Sequence, residues 1–392
     1  MQLCIISTNW IESDNMKIGI TCYPGVGGSG IIATELGIQM AKRGHQVHFI
    51  TSKVPFRLTI DHPNIYVHQT DVNSYSVFQY PPYDITISSK IAEVIKYYDL
   101  DVIHMHYAVP HAVCGILAKQ MSGSDVKIVT TLHGTDITVL GHDMTLTSAI
   151  KFGIESSDIT TSVSNSLKED TYRLIRPEKE ITTVHNFIDE NKFNMSDKEY
   201  TAAKLKVRYG INEHTKVIMH TSNFRAIKRI EDIIRAFNIA SSEIDAVLVL
   251  VGDGPEMNRM RHLVTDLGLT DKVIFAGQQS DVVRFYKMSD CFMLLSEQES
   301  FGLALLEAMN CGAVPIGSTA GGISEVIQHK ETGYIAEIGD YEQAAGYIVA
   351  LLSDYEKYKT MQQNMLNEIE SRFKSESIID QYEDLYFSLK EE

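Results

Sequence analysis

The sequence predicts an α/β protein built from two doubly wound, Rossmann-like domains. Three observations carry this. The chain has 392 residues, more than one ordinary domain holds. Short β-rich runs alternate with amphipathic stretches, the pattern of a parallel sheet covered on both faces. The alternation then starts afresh after about residue 190. Apolar residues make up 44% of the chain, enough for two cores. The expected boundaries are an N-terminal extension at 1–15, a first domain at 16–190, a second at 191–372 and a C-terminal helix at 373–392.

In the first half, "KIGITC" reads as a strand and "GIIATELGIQMAKRG" as a helix stopped at Gly44. "QVHFIT" is the next strand and "IYVHQ" a weaker one. "DITISSKIAEVIKYY" is helical and "LDVIHMH" a strand. A helix at "AVCGILAKQ", a strand at "KIVTTLH", a helix at "TSAIKFGIESS" and a strand at "DITTSVS" complete the half. The second half opens with the helical "AAKLKVRYG". Strands follow at "KVIMHTS", "AVLVLVG", "KVIFAG", "CFMLLS" and "AVPIGS", separated by helical segments such as "IEDIIRAFNIA" and "GLALLEAMN". The last segment, "SESIIDQYEDLYFSLKEE", is an amphipathic helix. In such sheets ligands bind beyond the carboxyl ends of the strands, so the loops after strands are where chemistry is expected.

Lys and Arg total 35 against 51 Asp and Glu, a net charge of −16. That balance opposes nucleic acid and an anionic membrane face. Five cysteines with no C-x-x-C pair read as free thiols of a reducing, cytoplasmic compartment. No run reaches membrane-spanning length, and the first 15 residues lack the basic start and apolar core of a signal peptide.

"CYPGVGGSG" follows the first strand, and Gly25, Gly27 and Gly30 spell G-x-G-x-x-G. A dinucleotide turn also needs an acid at the end of the second strand for the ribose. Here that strand ends in Thr51, Ser52 and Lys53. The context therefore opposes NAD, and no cofactor is expected. Two readings stand for the loop: a tight strand-to-helix turn, or a ligand loop whose backbone N–H groups and helix start attract an anion. Four glycines in six residues favour the second.

The segment "SEQESFGLALLEAMNCGAVPIGSTAGGISEVI" is the most informative. Glu299 and Glu307 form an E-x7-E pair. Phe301, Gly302 and Leu303 are expected to open the helix between them. Glu307 then lies about 7.5 Å along the axis from Gly302, placed to accept two ribose hydroxyls. "TSNFRAIKR" gathers Arg225, Lys228 and Arg229 in an acidic chain. Cations are disfavoured at a helix start, so a bound diphosphate explains them better than solvation does.

These motifs resemble the family 4 retaining glycosyltransferases of GT-B architecture, from Met16 to the C-terminus. The resemblance implies two domains facing a cleft, with the last helix crossing back to the first. It implies a second domain that binds a nucleotide-diphosphate sugar and a first that binds the acceptor. By the same resemblance Lys228 and Arg225 neutralise the leaving diphosphate, and Glu299 and His133 serve the donor sugar. Ser222, Asn223, Gly277, Phe301, Gly302, Leu303 and Glu307 bind the donor. The family commonly has Arg five positions before the Lys. Asn223 stands there in this chain, and Arg225, three before, is the candidate replacement. No D-x-D sequence is expected to carry a catalytic metal, and the basic cluster makes one unnecessary.

His104 and His106 in "HMHYAVPHA" share a strand face, which reads either as a metal pair or as hydrogen-bonded core; no further ligand stands beside them. Together, "CYPGVGGSG", "HMHYAVPHA", "TLHGTDIT" and "SNFRAIKR" resemble the branch of the family that opens bacillithiol synthesis. That implies UDP-N-acetylglucosamine as donor and the small dicarboxylate L-malate as acceptor. Gly27, Gly28, Ser29, Lys90, Tyr107 and Thr131 are the acceptor candidates by position, with Lys90 equally readable as an exposed helix residue. The alternatives are a family 4 enzyme with another acceptor such as an inositol phosphate, a nicotinamide dehydrogenase, and a non-catalytic sugar-nucleotide binder. A homo-oligomer is compatible with all of them.

Overall fold

A computed structural model describes residues 15–390, except 26, 59–60 and 75. Most of the proposed 1–15 extension, with Cys4, lies outside the described residues.

The first sheet has seven parallel strands: β1 (Lys17–Thr21), β2 (Gln46–Thr51), β3 (Ile65–Gln69), β4 (Val102–His106), β5 (Lys127–Leu132), β6 (Ile159–Ser162) and β7 (Ile181–Thr183). Their order is β3-β2-β1-β4-β5-β6-β7. Ile18 pairs with Val47 on one side and Val102 on the other. The second sheet holds β8 (Lys216–Asn223), β9 (Ala246–Asp253), β10 (Val273–Gly277), β11 (Cys291–Leu294), β12 (Val314–Ser318) and β13 (Tyr334–Ala336). Its order is β10-β9-β8-β11-β12-β13. Each order reverses once, between β1 and β4 and between β8 and β11. Such switch points are where loops part and a ligand enters.

β4 is buried along its whole length, as a central parallel strand covered on both faces must be. The helix Tyr83–Tyr98 explains part of that cover. Ile87, Ile91 and Ile95 recur every fourth residue and pack with Ile103, Met105 and Ile128. In the second sheet Ile233, Ile234 and Phe237 of the helix Ile230–Ala240 pack with Ile218, Leu248 and Met293. Each fully buried side chain of this kind contributes about 1.5–3 kcal/mol.

Two strands, β7 and β13, were not expected. Each has three residues, too few for a periodic pattern. The helix Asn165–Leu174 was also unexpected; the Ser164 hydroxyl caps it by accepting from Leu167 N–H at 3.0 Å. Against the expectation of no D-x-D sequence, one occurs at Asp99–Asp101, just before β4 at the strand's N-terminal end, away from the loops that follow the strands. Asp101 takes the Lys17 N–H there at 2.7 Å, a structural task.

The chain forms two compact units. One runs to Thr131 and takes in Phe152–Ile159 and Leu385 onward; the other is Leu132–Lys151 with Thr160–Asp384. Sheet membership changes between Thr183 and Lys216. Among the described residues no helix is long and apolar enough to cross a membrane.

Candidate active site

In the second unit most of the candidate residues gather in the loops after β8, β11 and β12. The basic cluster divides. Lys228 Nζ meets Glu299 Oε2 at 2.6 Å, with both side chains about one-fifth exposed. Arg229 turns to Asp232 at 2.5 Å. Arg225 is exposed and lines a cavity of about 880 Å³ together with Arg259, Glu297, Glu299, Ser300 and Gly321. Lys228, Glu307 and Gly277 do not line that cavity.

Glu307 lies on the helix Leu303–Asn310, as expected, and Gly302 precedes it in the left-handed region at φ 92°. The Glu307 carboxylate is buried and accepts from the Tyr286 hydroxyl at 3.1 Å. Phe301 is buried, edge-on to Phe373 at 5.8 Å. Gly321, at φ 50°, and Gly322 press against the carbonyls of Glu299 and Ser300, where any Cβ would collide. Gly134 stands against Ser300 Oγ in the same way, so the loop carrying His133 adjoins the Glu299–Phe301 segment. The His133 and Gly134 N–H groups donate to Asp136 Oδ1 at 3.2 and 3.0 Å.

Ser222 and Asn223 end β8, and Gly277 ends β10 at φ 68°. Ser222 is turned by a residue that sequence reasoning passed over. His220 is fully buried, and burial pushes its pKa down to about 4 against a weaker pull from the Met293 carbonyl. Its Nδ1 lies 2.8 Å from that carbonyl, which only accepts, so Nδ1 carries the proton. Nε2 therefore accepts from the Ser222 hydroxyl at 2.8 Å. Ser222 has its hydrogen committed and presents lone pairs, a poor match for a phosphate oxygen.

A second group had gone unseen. Glu325, in the singled-out "AGGISE", takes Ser166 N–H at 2.7 Å and Asn165 N–H at 3.0 Å. Asn165 Nδ2 at 3.1 Å and His185 Nε2 at 3.2 Å complete the set. Burial alone would raise the Glu325 pKa. The bonds from His185, Ser166 and Asn165 outweigh it and hold the carboxyl below its ordinary range. The glycines drew attention to this segment, but nothing local marks a carboxylate that caps a helix 160 positions away.

In the first unit the glycine loop leads into the helix Gly28–Lys42, which has no side-chain cap and no acid in its first turn. Ser29 Oγ donates to Tyr107 Oη at 2.7 Å. Tyr107 follows β4 with φ 90°, a conformation rare for a bulky residue and often found at functional sites. Around this pair stand rings not anticipated from sequence. Tyr23 lies 4.6 Å from His111, 5.8 Å from Tyr107 and 6.1 Å from Tyr83. His111 Nε2 meets Tyr83 Oη at 3.1 Å.

Two acceptor candidates fare differently. Thr131 is fully buried, its Oγ1 2.7 Å from His104 Nε2, while His104 Nδ1 lies 2.6 Å from Tyr386 Oη. His104 is thus the hydrogen-bonded core residue of the two readings offered for it. Lys90 pairs with Glu93 at 3.0 Å on its own helix and is not drawn to Ser29 and Tyr107. The Thr51 hydroxyl turns to the Lys53 carbonyl at 2.7 Å, so the position of a dinucleotide's ribose acid holds a local turn. Cys22, Cys114, Cys291 and Cys311 are buried free thiols, and burial raises the pKa of each. They are unsuited to act as nucleophiles.

The glycines of this loop are not equivalent. A Cβ on Gly30 would collide with the Tyr23 carbonyl, so the loop's closure requires glycine there. At Gly25, Gly27 and Gly28 no atom of the described residues, chain neighbours aside, lies within 4 Å of a Cβ. The expected result is a split. Gly30→Ala loses about 1–3 kcal/mol by overpacking, whereas Gly28→Ala unfolds within about 1 kcal/mol of the parent. Denaturant titration checks both, and an acceptor KM raised in Gly28→Ala alone ties the loop to the ligand.

Comparison with known proteins agrees with this arrangement. Residues 26–192 match the model described as Glycosyltransferase Family 4, and residues 202–367 that of Glycosyl transferases group 1. The chain is 53% identical over 374 residues to the N-acetyl-alpha-D-glucosaminyl L-malate synthase of Bacillus anthracis, covering 95% of this chain and 97% of that protein. It is 28% identical to an uncharacterized glycosyltransferase of Methanocaldococcus jannaschii, covering 87% and 90%. Among solved structures it resembles Anabaena HepE in complex with UDP and glucose, with TM-score 0.80, 21% identity, and coverage of 95% and 100%.

Proposed function

The chain belongs to the family 4 glycosyltransferases of GT-B fold, and on that premise we propose that it moves N-acetylglucosamine from UDP-N-acetylglucosamine to the hydroxyl of L-malate, with retention, the first step of bacillithiol biosynthesis. The observation that carries this reading is the 53% identity to the Bacillus anthracis synthase across 95% of the chain.

The donor is assigned to the second unit. Glu307, held by Tyr286, takes the ribose hydroxyls. Lys228, Arg225 and the start of the helix Leu303–Asn310 take the diphosphate. As UDP leaves, the malate hydroxyl approaches from the same face. The sugar gains oxocarbenium character while negative charge grows on the leaving phosphate. Preorganised cations and N–H dipoles aimed at that charge are usually the largest catalytic term. Lys228 is engaged by Glu299 at 2.6 Å, so donor binding exchanges one anion partner for another. Glu299 is then released toward the sugar.

The acceptor is assigned to the loop of Gly27, Gly28 and Ser29 with Tyr107. The Ser29 hydroxyl is committed to Tyr107 Oη. The uncapped helix start supplies the N–H groups and partial positive charge that a carboxylate needs. Thr131 contributes through its backbone carbonyl, which accepts from Tyr107 N–H at 2.9 Å and holds that residue in place.

The deciding experiment incubates the protein with UDP-N-acetylglucosamine and a panel of small acids, following UDP release and product mass. Malate-dependent formation of the glycoside is expected. UDP release that ignores malate but follows another acid or an inositol phosphate would move the chain to a different acceptor.

A further inference from the structure

Glu325 is not expected to touch either substrate, yet its carboxylate accepts four hydrogen bonds. Resting on the donor site proposed above, we propose that Glu325 is a positioning residue for the donor-binding segment Glu299–Phe301. It fastens the turn that supports this segment to the start of the helix Asn165–Leu174.

The helix start explains the fastening. Ser164 caps Leu167 N–H. The Asn165 and Ser166 N–H groups, left over in the first turn, point at Glu325. A carboxylate at this end is favoured by the helix dipole, and bonds to a charged acceptor are stronger than neutral ones.

Glu325 reaches the donor segment by two routes. Gly322, three positions before it, donates its N–H to the Glu299 carbonyl at 3.0 Å. Gly321 and Gly322 lie so close to the Glu299 and Ser300 carbonyls that no Cβ fits between the two stretches of backbone. The second route runs through His185. Its Nε2 bonds Glu325, and its ring lies 5.9 Å from Phe301 and 5.6 Å from Phe373. The Gly321–Gly322 turn has no side chain of its own to hold it. Without the Glu325 anchor, the backbone that aims Glu299 at Lys228 loses its outer support. Displacement of a reacting group by about 1 Å costs on the order of 100-fold in rate.

Titration of Glu325→Ala and Glu325→Gln with UDP and with UDP-N-acetylglucosamine, beside thermal unfolding, tests this. In Glu325→Ala the affinity for the sugar nucleotide is expected to fall about tenfold and that for UDP less than about threefold, while kcat falls about 10- to 100-fold. The thermal midpoint also drops by about 2–4 °C, because the helix start at Asn165 loses its carboxylate cap. Glu325→Gln, which keeps one acceptor oxygen, lies between. Equal losses for both ligands would reduce Glu325 to a fold-stabilising residue. Unchanged sugar-nucleotide affinity would remove it from the site. A wild-type protein that binds UDP-N-acetylglucosamine but makes no malate product strikes only the proposed acceptor.

Discussion

Lys228→Ala is expected to lower turnover by about 10²–10³-fold, the usual effect of removing one preorganised donor from a developing anion. Lys228 is the cation paired to Glu299 at 2.6 Å. It sits in a loop with Arg225 and beside Arg229, which is spent on Asp232. In the proposed donor site this leaves Arg225 and the start of the helix Leu303–Asn310 for the leaving phosphate. The loss combines two effects, a missing cation and a Glu299 carboxylate left without its partner. A double-mutant cycle of Lys228→Ala, Glu299→Ala and the pair separates them, because Glu299→Ala alone reports the loss of its own contacts. Steady-state kcat with UDP titration reads the outcome. Turnover within twofold of the parent would reject Lys228 as the group that stabilises the leaving diphosphate.

Stability is expected to fall steeply in mild acid because of two buried histidines. His111 and His220 are fully enclosed, and burial lowers each from an ordinary value of 6.5 to about 4. The unfolded chain protonates these rings first. Each histidine's contribution is therefore complete above pH 6.5 and is lost as pH falls from there toward 4. A shift of this size corresponds to roughly 3 kcal/mol per residue when complete. His48, also fully buried and lowered to about 4, acts in the same direction. Urea unfolding at stepped pH values checks this. His220→Asn, which keeps a donor for the Met293 carbonyl but cannot titrate, is expected to flatten the slope by about one proton near pH 5. An unchanged slope would mean that His220 is not the titrating group.

Much of the fold was legible because parallel α/β sheets write themselves locally. Buried strands such as "VIHMH" are continuous apolar-rich runs, and the covering helix repeats Ile87, Ile91 and Ile95 on one face. The three-residue strands β7 and β13 escaped because so short a run carries no period. In the site, the E-x7-E pair and the basic cluster were visible as spacing and composition. Their pairing was not. Spacing cannot say that Lys228 meets Glu299 while Arg229 turns to Asp232. Lys90 looked like an acceptor cation until its helix placed Glu93 one turn away. Thr131 looked like a ligand until His104 claimed its hydroxyl.

By itself the sequence determined the α/β class, the two parallel sheets and the family, since each rests on residues within one element or one motif. Only the tertiary structure decided the partners. Glu325 is 160 positions from Asn165, and Tyr386 is 282 from His104. His220 settles the direction of a hydroxyl two residues away only because the Met293 carbonyl, on a neighbouring strand, accepts its Nδ1–H. The physical reason is the same in each case. Periodicity and propensity act over a few residues, whereas a buried polar group must find its partner wherever the packed chain brings one.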